Sequence, residues 1–447
     1  MTGVLAERFA TVSREGDARP AVVEEGAVLS YGRLRRWSEV IAARLDRHRP
    51  TAGRRVALAL PNSAAFVAAF FGVALVDGVV APLDAGYRAQ ELEHYLADLE
   101  ASAILVSAAT ADRVRAASDR LARPPAVLLV DGPETCEPLA AGEAAGGSGA
   151  LDENPLLLLH TSGSTGPAKR VVRTQAQLLA ESEALQRLFA VTDHDRFLGV
   201  APFSHVNGLV RTMLTAILAG ATLYPIRQFA RRDVLELIGR ERLTFFGGVP
   251  RIFVALAQAP PRGAVDLSSL RIVFSSSAPL RPADNRDFRG AYGHWIRQLY
   301  GSTETGTISY HDHPAVEDRL DSVGRPLALV ALAVLDERGG ALPPGREGQI
   351  AVSSPFAASA YEGNPAATRK RFRDGRYLTG DLGHLDSEGY LTLTGRTGLM
   401  INRGGYKVNP YEVEEAIRQH PKVADVVVLG APGRHGDQVV CGLVVAR

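Results

Sequence analysis

The chain has 447 residues, 46% of them hydrophobic and 22% charged, with 50 basic against 49 acidic residues and a formal net charge of +1. That is the balance of a folded globular protein of two or three domains at about 150 residues each, and it excludes a disordered, collagen-like or coiled-coil chain. It also leaves no overall field to draw nucleic acid or an anionic membrane surface. The two cysteines, Cys136 and Cys441, lie far apart and flank no Cys/His cluster, so neither a disulfide frame nor a zinc site is expected, and a reducing compartment fits.

The opening segment, MTGVLAERFATVSREGD, has early acids and no apolar core of signal-peptide length. Residues 31 to 46 carry apolar positions at helical spacing and predict an amphipathic helix. VALALP at 56 to 61 predicts a short buried strand closed by proline. The most apolar stretch, 63 to 83, is interrupted at Asp77 and is too short for a bilayer span, which takes about 20 residues. It predicts a buried helix over 63 to 75 and then a strand, GVVAPL. A helix over 89 to 100 and a strand, AILVSA, follow. This alternation predicts βαβ layers with a mostly parallel sheet, and with no span or leader the cytoplasm is the expected location. Residues 137 to 154 show no periodicity and read as a surface connection. A second alternating block runs from about 156 to 300. After 322 the texture changes to short strands with Gly/Pro turns, predicting a small barrel or twisted antiparallel sheet. From 408 a strand, a helix and two strands predict a small α+β unit that stops inside a strand at Arg447.

Basic residues are skewed: there are four lysines, at 169, 370, 407 and 422, against 46 arginines. One of the four closes the segment TSGSTGPAK, residues 161 to 169, which follows a run of four leucines. Glycines and small hydroxyl residues after a strand let backbone N–H groups turn toward an anion. Thr161, Ser162, Ser164 and Thr165 add hydroxyl donors, Gly163 and Gly166 permit close approach, and Lys169 adds a compact cation. This mixture suits a polyphosphate, and its spacing is not that of the P-loop.

TSGSTGPAK resembles the signature of the adenylate-forming superfamily: acyl-CoA synthetases, nonribosomal-peptide adenylation domains and beetle luciferases. In order, PFSHVNGL (202 to 209), SSSAPL (275 to 280), YGSTETG (300 to 306), YLTGDLG (377 to 383) and GRTGLMINRGGYKVNPYEVE (395 to 414) resemble further motifs of that family. The last of these is most similar to the acid–CoA ligase version. The resemblance covers nearly the whole chain. It implies an α/β fold: residues 1 to 395 as a large N-terminal domain of two α/β sheet subdomains plus a small β-barrel, and residues 396 to 447 as a truncated, mobile α+β C-terminal domain.

The implied reaction joins a carboxylate to the α-phosphate of ATP, releases pyrophosphate, and passes the acyl group to CoA. The alternatives are transfer to an amine or a carrier-protein thiol, and a nucleotide-binding protein without turnover. By resemblance, residues 161 to 169 hold the β- and γ-phosphates, Glu304 binds Mg²⁺, Thr303 contacts the α-phosphate, and Tyr300 with Gly301 faces adenine. Ser277, Ala278 and Pro279 form the adenine-contacting turn. Asp381 accepts from the ribose hydroxyls, and Arg396 faces the ribose at the domain boundary. His205 gates the acid pocket, lined by Val206, Gly247, Gly248, Ser276 and Thr305. The two glycines are expected to remove side-chain volume there. No acid lies between 196 and 232, so the counter-charge that amino-acid-activating relatives place there is missing. Leaving an ammonium unpaired is costly, so an aryl, heteroaryl or aliphatic acid without an α-amine is expected. Two features depart from the family pattern. The usual C-terminal Gly-Lys lysine is absent, which implies either a trimmed chain or a naturally short one, with slow adenylation expected in the second case, and Gly398 stands at the usual Asp or Lys hinge.

Overall fold

The computed structural model describes residues 3–48, 54–142, 154–161, 168–258, 265–403, 406–433 and 438–446. It divides into two compact units: Met1–Ile308 with Pro355–Lys370, and Ser309–Ser354 with Arg371–Arg447.

The first unit holds two sheets. One runs in the order Tyr361–Glu362, Lys169–Thr174, Pro155–Thr161, Val79–Pro82, Arg55–Ala59, Ala103–Val106, Ala126–Leu129 and Glu137–Ala140. Its centre is parallel, and antiparallel strands close both edges. The other takes in Arg297–Ser302, Ile272–Ser275, Phe245–Gly248, Arg196–Gly199 and Thr222–Pro225, parallel throughout, with the hairpin Pro20–Glu24 and Ala27–Ser30 at its end. The βαβ alternation therefore builds what it predicts. The strands at the sheet centres read as continuous apolar runs because helices cover both faces.

The helix expected over 63 to 75 is Ala64–Ala74, started by the Ser63 hydroxyl, which accepts from Phe66 N. It is apolar all round because it is buried all round. The amphipathic helix Tyr31–His48 crosses it at Gly72, where a Cβ would come within 2.8 Å of Ile41. An additional helix, Val4–Glu15, buries Leu5, Phe9 and Val12, and the Phe9 ring stacks on Phe71 at 3.8 Å. Its first backbone N–H groups are met by Gln175 Oε1, 3.1 Å from both Leu5 N and Ala6 N. The expected connection after 137 instead opens with the edge strand Glu137–Ala140, antiparallel to Ala126–Leu129.

In the second unit, Ala331–Leu335, Gly348–Ser353, Arg376–Leu385, Leu391–Arg396 and Ser322–Pro326 form an antiparallel sheet in that order. The hairpin Val423–Pro432 and Gln438–Ala446 carries the helix Pro410–Arg418 over a small core of Ile401, Val423, Val426 and Val428. Among the described residues no helix is long and apolar enough to cross a membrane.

Candidate active site

Strand Pro155–Thr161 buries its leucines and pairs antiparallel with Lys169–Thr174, the pairing ending at Thr161 opposite Lys169. The Thr161 hydroxyl donates to Lys169 O at 3.4 Å. Ser162, Gly163, Ser164, Thr165 and Gly166 lie outside the described residues.

Lys169 Nζ sits 4.7 Å from the ring centroid of Tyr361, a cation–π contact. The Tyr361 hydroxyl donates to Glu304 Oε1 at 2.7 Å. Sequence reasoning missed Tyr361. Its place comes from the two-residue strand Tyr361–Glu362, which puts Tyr361 opposite Val171 and Glu362 opposite Arg170. Glu362 is clamped by Arg55 Nη2 at 2.9 Å and Arg170 Nε at 3.0 Å, which fixes the strand. Lys169 and Glu304, 135 residues apart in number, thus share one tyrosine as common ground.

Glu304 stands in the turn that follows strand Arg297–Ser302. The turn is knitted by Ser302 and Thr305: Thr305 N donates to Ser302 Oγ at 3.2 Å, and Ser302 N to Thr305 Oγ1 at 3.3 Å. Ala358 N donates to Glu304 O at 2.7 Å. Gly306 has φ +69, and a Cβ there would lie 2.5 Å from Glu181 Oε2, so both conformation and space demand glycine. Glu304 is buried, Thr303 half-buried, and Tyr300 and Gly301 half-buried beside them. Among the described residues Glu304 makes no ion pair and no group of three or more His, Cys, Asp or Glu gathers around a metal position. A lone buried carboxylate of this kind fits a hard cation that takes its remaining ligands from phosphate oxygens.

Strand Ile272–Ser275 ends in a turn where Ser276 N donates to Gly248 O at 3.0 Å and Ser277 adopts φ +75. A left-handed serine is uncommon and held by its surroundings. Ser277, Ala278 and Pro279 are exposed there, while Ser275 and Ser276 are buried. A Cβ on Gly247 would lie 2.4 Å from the Phe274 ring, and one on Gly248 3.0 Å from Phe253. What the missing side chains make room for is therefore a neighbouring ring, a correction to the expectation of open pocket volume.

His205 is exposed and precedes the single turn Val206–Gly208, which leads into a π-helical turn, Leu209–Leu214. Gly208 lets this turn press on the preceding loop, since a Cβ would come 2.3 Å from Ala201 O. Val206 and Asn207 are buried, and Asn207 Nδ2 donates to Gly248 O at 3.1 Å. Such π-turns occur most often at functional sites.

Beneath these segments lies a buried charge network that the sequence did not disclose. Glu181 Oε1 accepts from Thr307 N and Oγ1, both at 2.8 Å, and its Oε2 from Arg173 Nη2 at 2.9 Å. Arg211 Nε donates to Thr307 Oγ1 at 3.1 Å and Nη1 to Ser276 Oγ at 2.6 Å. Burial works to raise the Glu181 pKa, but Arg173, Arg211 and the hydrogen bonds outweigh it and hold the carboxyl below its ordinary range. Burial pushes Arg211 down to about 10, Glu181 opposing and Arg173 adding to the shift.

In the second unit Asp381 and Arg396 face each other across paired strands, Nε to Oδ1 3.1 Å. Thr397 N donates to Gly380 O at 2.7 Å and continues that pairing.

The profile of a family described as "AMP-binding enzyme" matches residues 9–362. The chain is 31% identical to an oxalate–CoA ligase of Arabidopsis thaliana over 96% of its own length and 86% of that protein's. It superposes on ATP-bound MatB from Rhodopseudomonas palustris with a TM-score of 0.86 at 27% identity, covering 99% of this chain and 89% of that one. It superposes equally well, at 0.86 and 27% identity with 99% and 89% coverage, on the amide bond synthetase McbA of Marinactinospora thermotolerans.

Proposed function

The chain belongs to the AMP-binding enzyme family, and from that membership we propose that it is an ATP-dependent, AMP-forming acid–CoA ligase. It activates a carboxylic acid to an acyl-adenylate with release of pyrophosphate, then transfers the acyl group to the thiol of CoA. The observation that carries this reading is the convergence of Lys169 and Glu304 on Tyr361.

A carboxylate acylates poorly because oxide would have to leave, whereas an adenylate leaves as AMP. Attack of the acid oxygen on the α-phosphorus gathers negative charge on phosphate oxygens, so catalysis is positioning plus fixed positive charge. Residues 161 to 169 cradle the β- and γ-phosphates, with Lys169 as the cation. Tyr361 braces Lys169 through its ring and Glu304 through its hydroxyl, so that neither side chain reorganises during reaction. Glu304 would hold Mg²⁺, which supplies charge neutralisation on the phosphate oxygens. Thr303 is directed to the α-phosphate, Tyr300 and Gly301 with the Ser277–Pro279 turn to adenine, and Asp381 with Arg396 to the ribose. His205, Val206, Ser276 and Thr305 border the acid. The nucleotide- and acid-binding part corresponds to residues 1–395, and residues 396–447 to a mobile C-terminal portion.

No acidic residue lies between 196 and 232, which favours an acid without an α-amine. A second reading, an amine as acyl acceptor, draws on the likeness to an amide bond synthetase. Incubation with ATP, a substrate acid, CoA and a trial amine separates the two. Thioester is the expected product; amide without thioester would replace the first reading with the second.

A further inference from the structure

Arg211 is the only charged residue in the apolar segment 206 to 225. It is 1% exposed and stands on the π-helical turn Leu209–Leu214. Two of its nitrogens are held, Nε by Thr307 and Nη1 by Ser276, which locks the guanidinium plane. Nη2 is buried and has no acceptor among the described residues. A Cβ on Gly301 would lie 2.4 Å from Nη2, so the glycine of the YGSTETG segment is what lets this nitrogen lie against the strand.

Four further buried polar atoms in the neighbouring segments lack partners among the described residues: Arg173 Nε and Nη1, Asn207 Oδ1 and Ser275 Oγ. The segments carrying Asn207 and Ser276 meet at Gly248, whose O accepts from both Asn207 Nδ2 and Ser276 N. Gly248 also stands opposite Ser275 in the sheet. Orphaned buried polar groups are uncommon in folded proteins, and several on adjoining segments point to a ligand.

Charge points the same way. Arg173 and Arg211 are both fully buried, and Glu181 is the one carboxylate acting on Arg211 among the described residues. The three leave a net charge of +1 in a dry setting, where an unpaired charge is costly unless something arrives to pair it. A guanidinium with one nitrogen left without an acceptor suits a carboxylate oxygen.

We propose that Arg211 receives a second carboxylate on the acid substrate, making the enzyme selective for dicarboxylic acids. This rests on the acid-activating reading above and names its substrate class. The reacting carboxylate meets ATP, the distal one accepts from Nη2, and Asn207 and Ser275 supply further polar contacts around it.

The test is pyrophosphate release by the full chain with ATP, Mg²⁺ and matched acids: butanoate against succinate, hexanoate against adipate, benzoate against phthalate. In at least one pair the diacid is expected to exceed the monoacid by about 10- to 100-fold in kcat/KM, the range of one charge-assisted hydrogen bond. Arg211→Met should erase or invert that preference, mainly through KM for the diacid. The wild-type ratio stands as a test even if the variant unfolds. Turnover of monoacids with no diacid preferred would overturn this proposal and leave acid activation intact. So would a folded Arg211→Met with an unchanged ratio. Absence of acid-dependent pyrophosphate release with every acid would overturn the activating reading itself.

Discussion

The hydroxyl of Tyr361 donates to Glu304 at 2.7 Å, while the ring of the same tyrosine lies under Lys169 at 4.7 Å. One side chain therefore sets the orientation of both groups assigned to the nucleotide's phosphates. Tyr361→Phe keeps the ring and removes only the hydroxyl. It is expected to lower kcat/KM for ATP by about 10- to 100-fold, the equivalent of one hydrogen bond to a charged group. Tyr361→Ala removes the ring as well and should cost more. Initial rates of pyrophosphate release at varied ATP and Mg²⁺ check this, and wild-type behaviour of Tyr361→Phe would show that the hydroxyl positions nothing.

Lys169→Ala and Glu304→Gln remove, respectively, the cation and the charge assigned to metal binding. Each is expected to lower kcat by about 100-fold or more, as for other loss of preorganised electrostatic stabilisation. KM for the acid should move little. Steady-state kinetics with either substrate varied distinguish this from a general loss of folding.

Asp381 and Arg396, 3.1 Å apart, are assigned to the ribose. Asp381→Asn should raise KM for ATP by about 3- to 10-fold and leave KM for the acid unchanged. A sharper check uses 2′-deoxy-ATP: the wild type should discriminate against it, and Asp381→Asn should not. Equal discrimination by both would remove Asp381 from the ribose.

The Glu181 carboxylate balances two buried guanidiniums. Glu181→Gln leaves them facing each other uncompensated and should cost about 3–5 kcal/mol of stability. The pH dependence follows from the sign of the shift. The folded-state pKa lies below the unfolded value, about 4.3 for glutamate. The stabilisation is thus fully present above that value and is lost as pH falls through the depressed folded-state pKa. Thermal melts from pH 7 downward should show the wild type losing stability at acid pH more steeply than Glu181→Gln.

Most of the framework was legible because apolar runs, helical spacing and turn residues alternate cleanly through residues 31 to 106. The helix Val4–Glu15 was also marked, by apolar residues at 5, 9 and 12, but a charged N-terminus is easily read for targeting alone. The edge strand Glu137–Ala140 carries no such mark: it includes a proline, lacks alternation, and exists because a partner strand lies beside it. The motif residues Lys169, Thr303 and Glu304 stood out by type and spacing. Tyr361 did not, since only its pairing with Lys169–Thr174 brings it to Glu304. Burial of Arg211 had a faint signal, a single cation inside a long apolar segment with no acid near it in sequence. Its partners Thr307, Ser276 and Glu181 come from three distant segments and are set by tertiary packing alone.

The most direct measurement is the stoichiometry of products from ATP with and without a substrate acid. Activation at the Lys169–Tyr361–Glu304 site predicts AMP and pyrophosphate in equal amounts, formed only when the acid is present. ADP with inorganic phosphate, or pyrophosphate release indifferent to the acid, would contradict it.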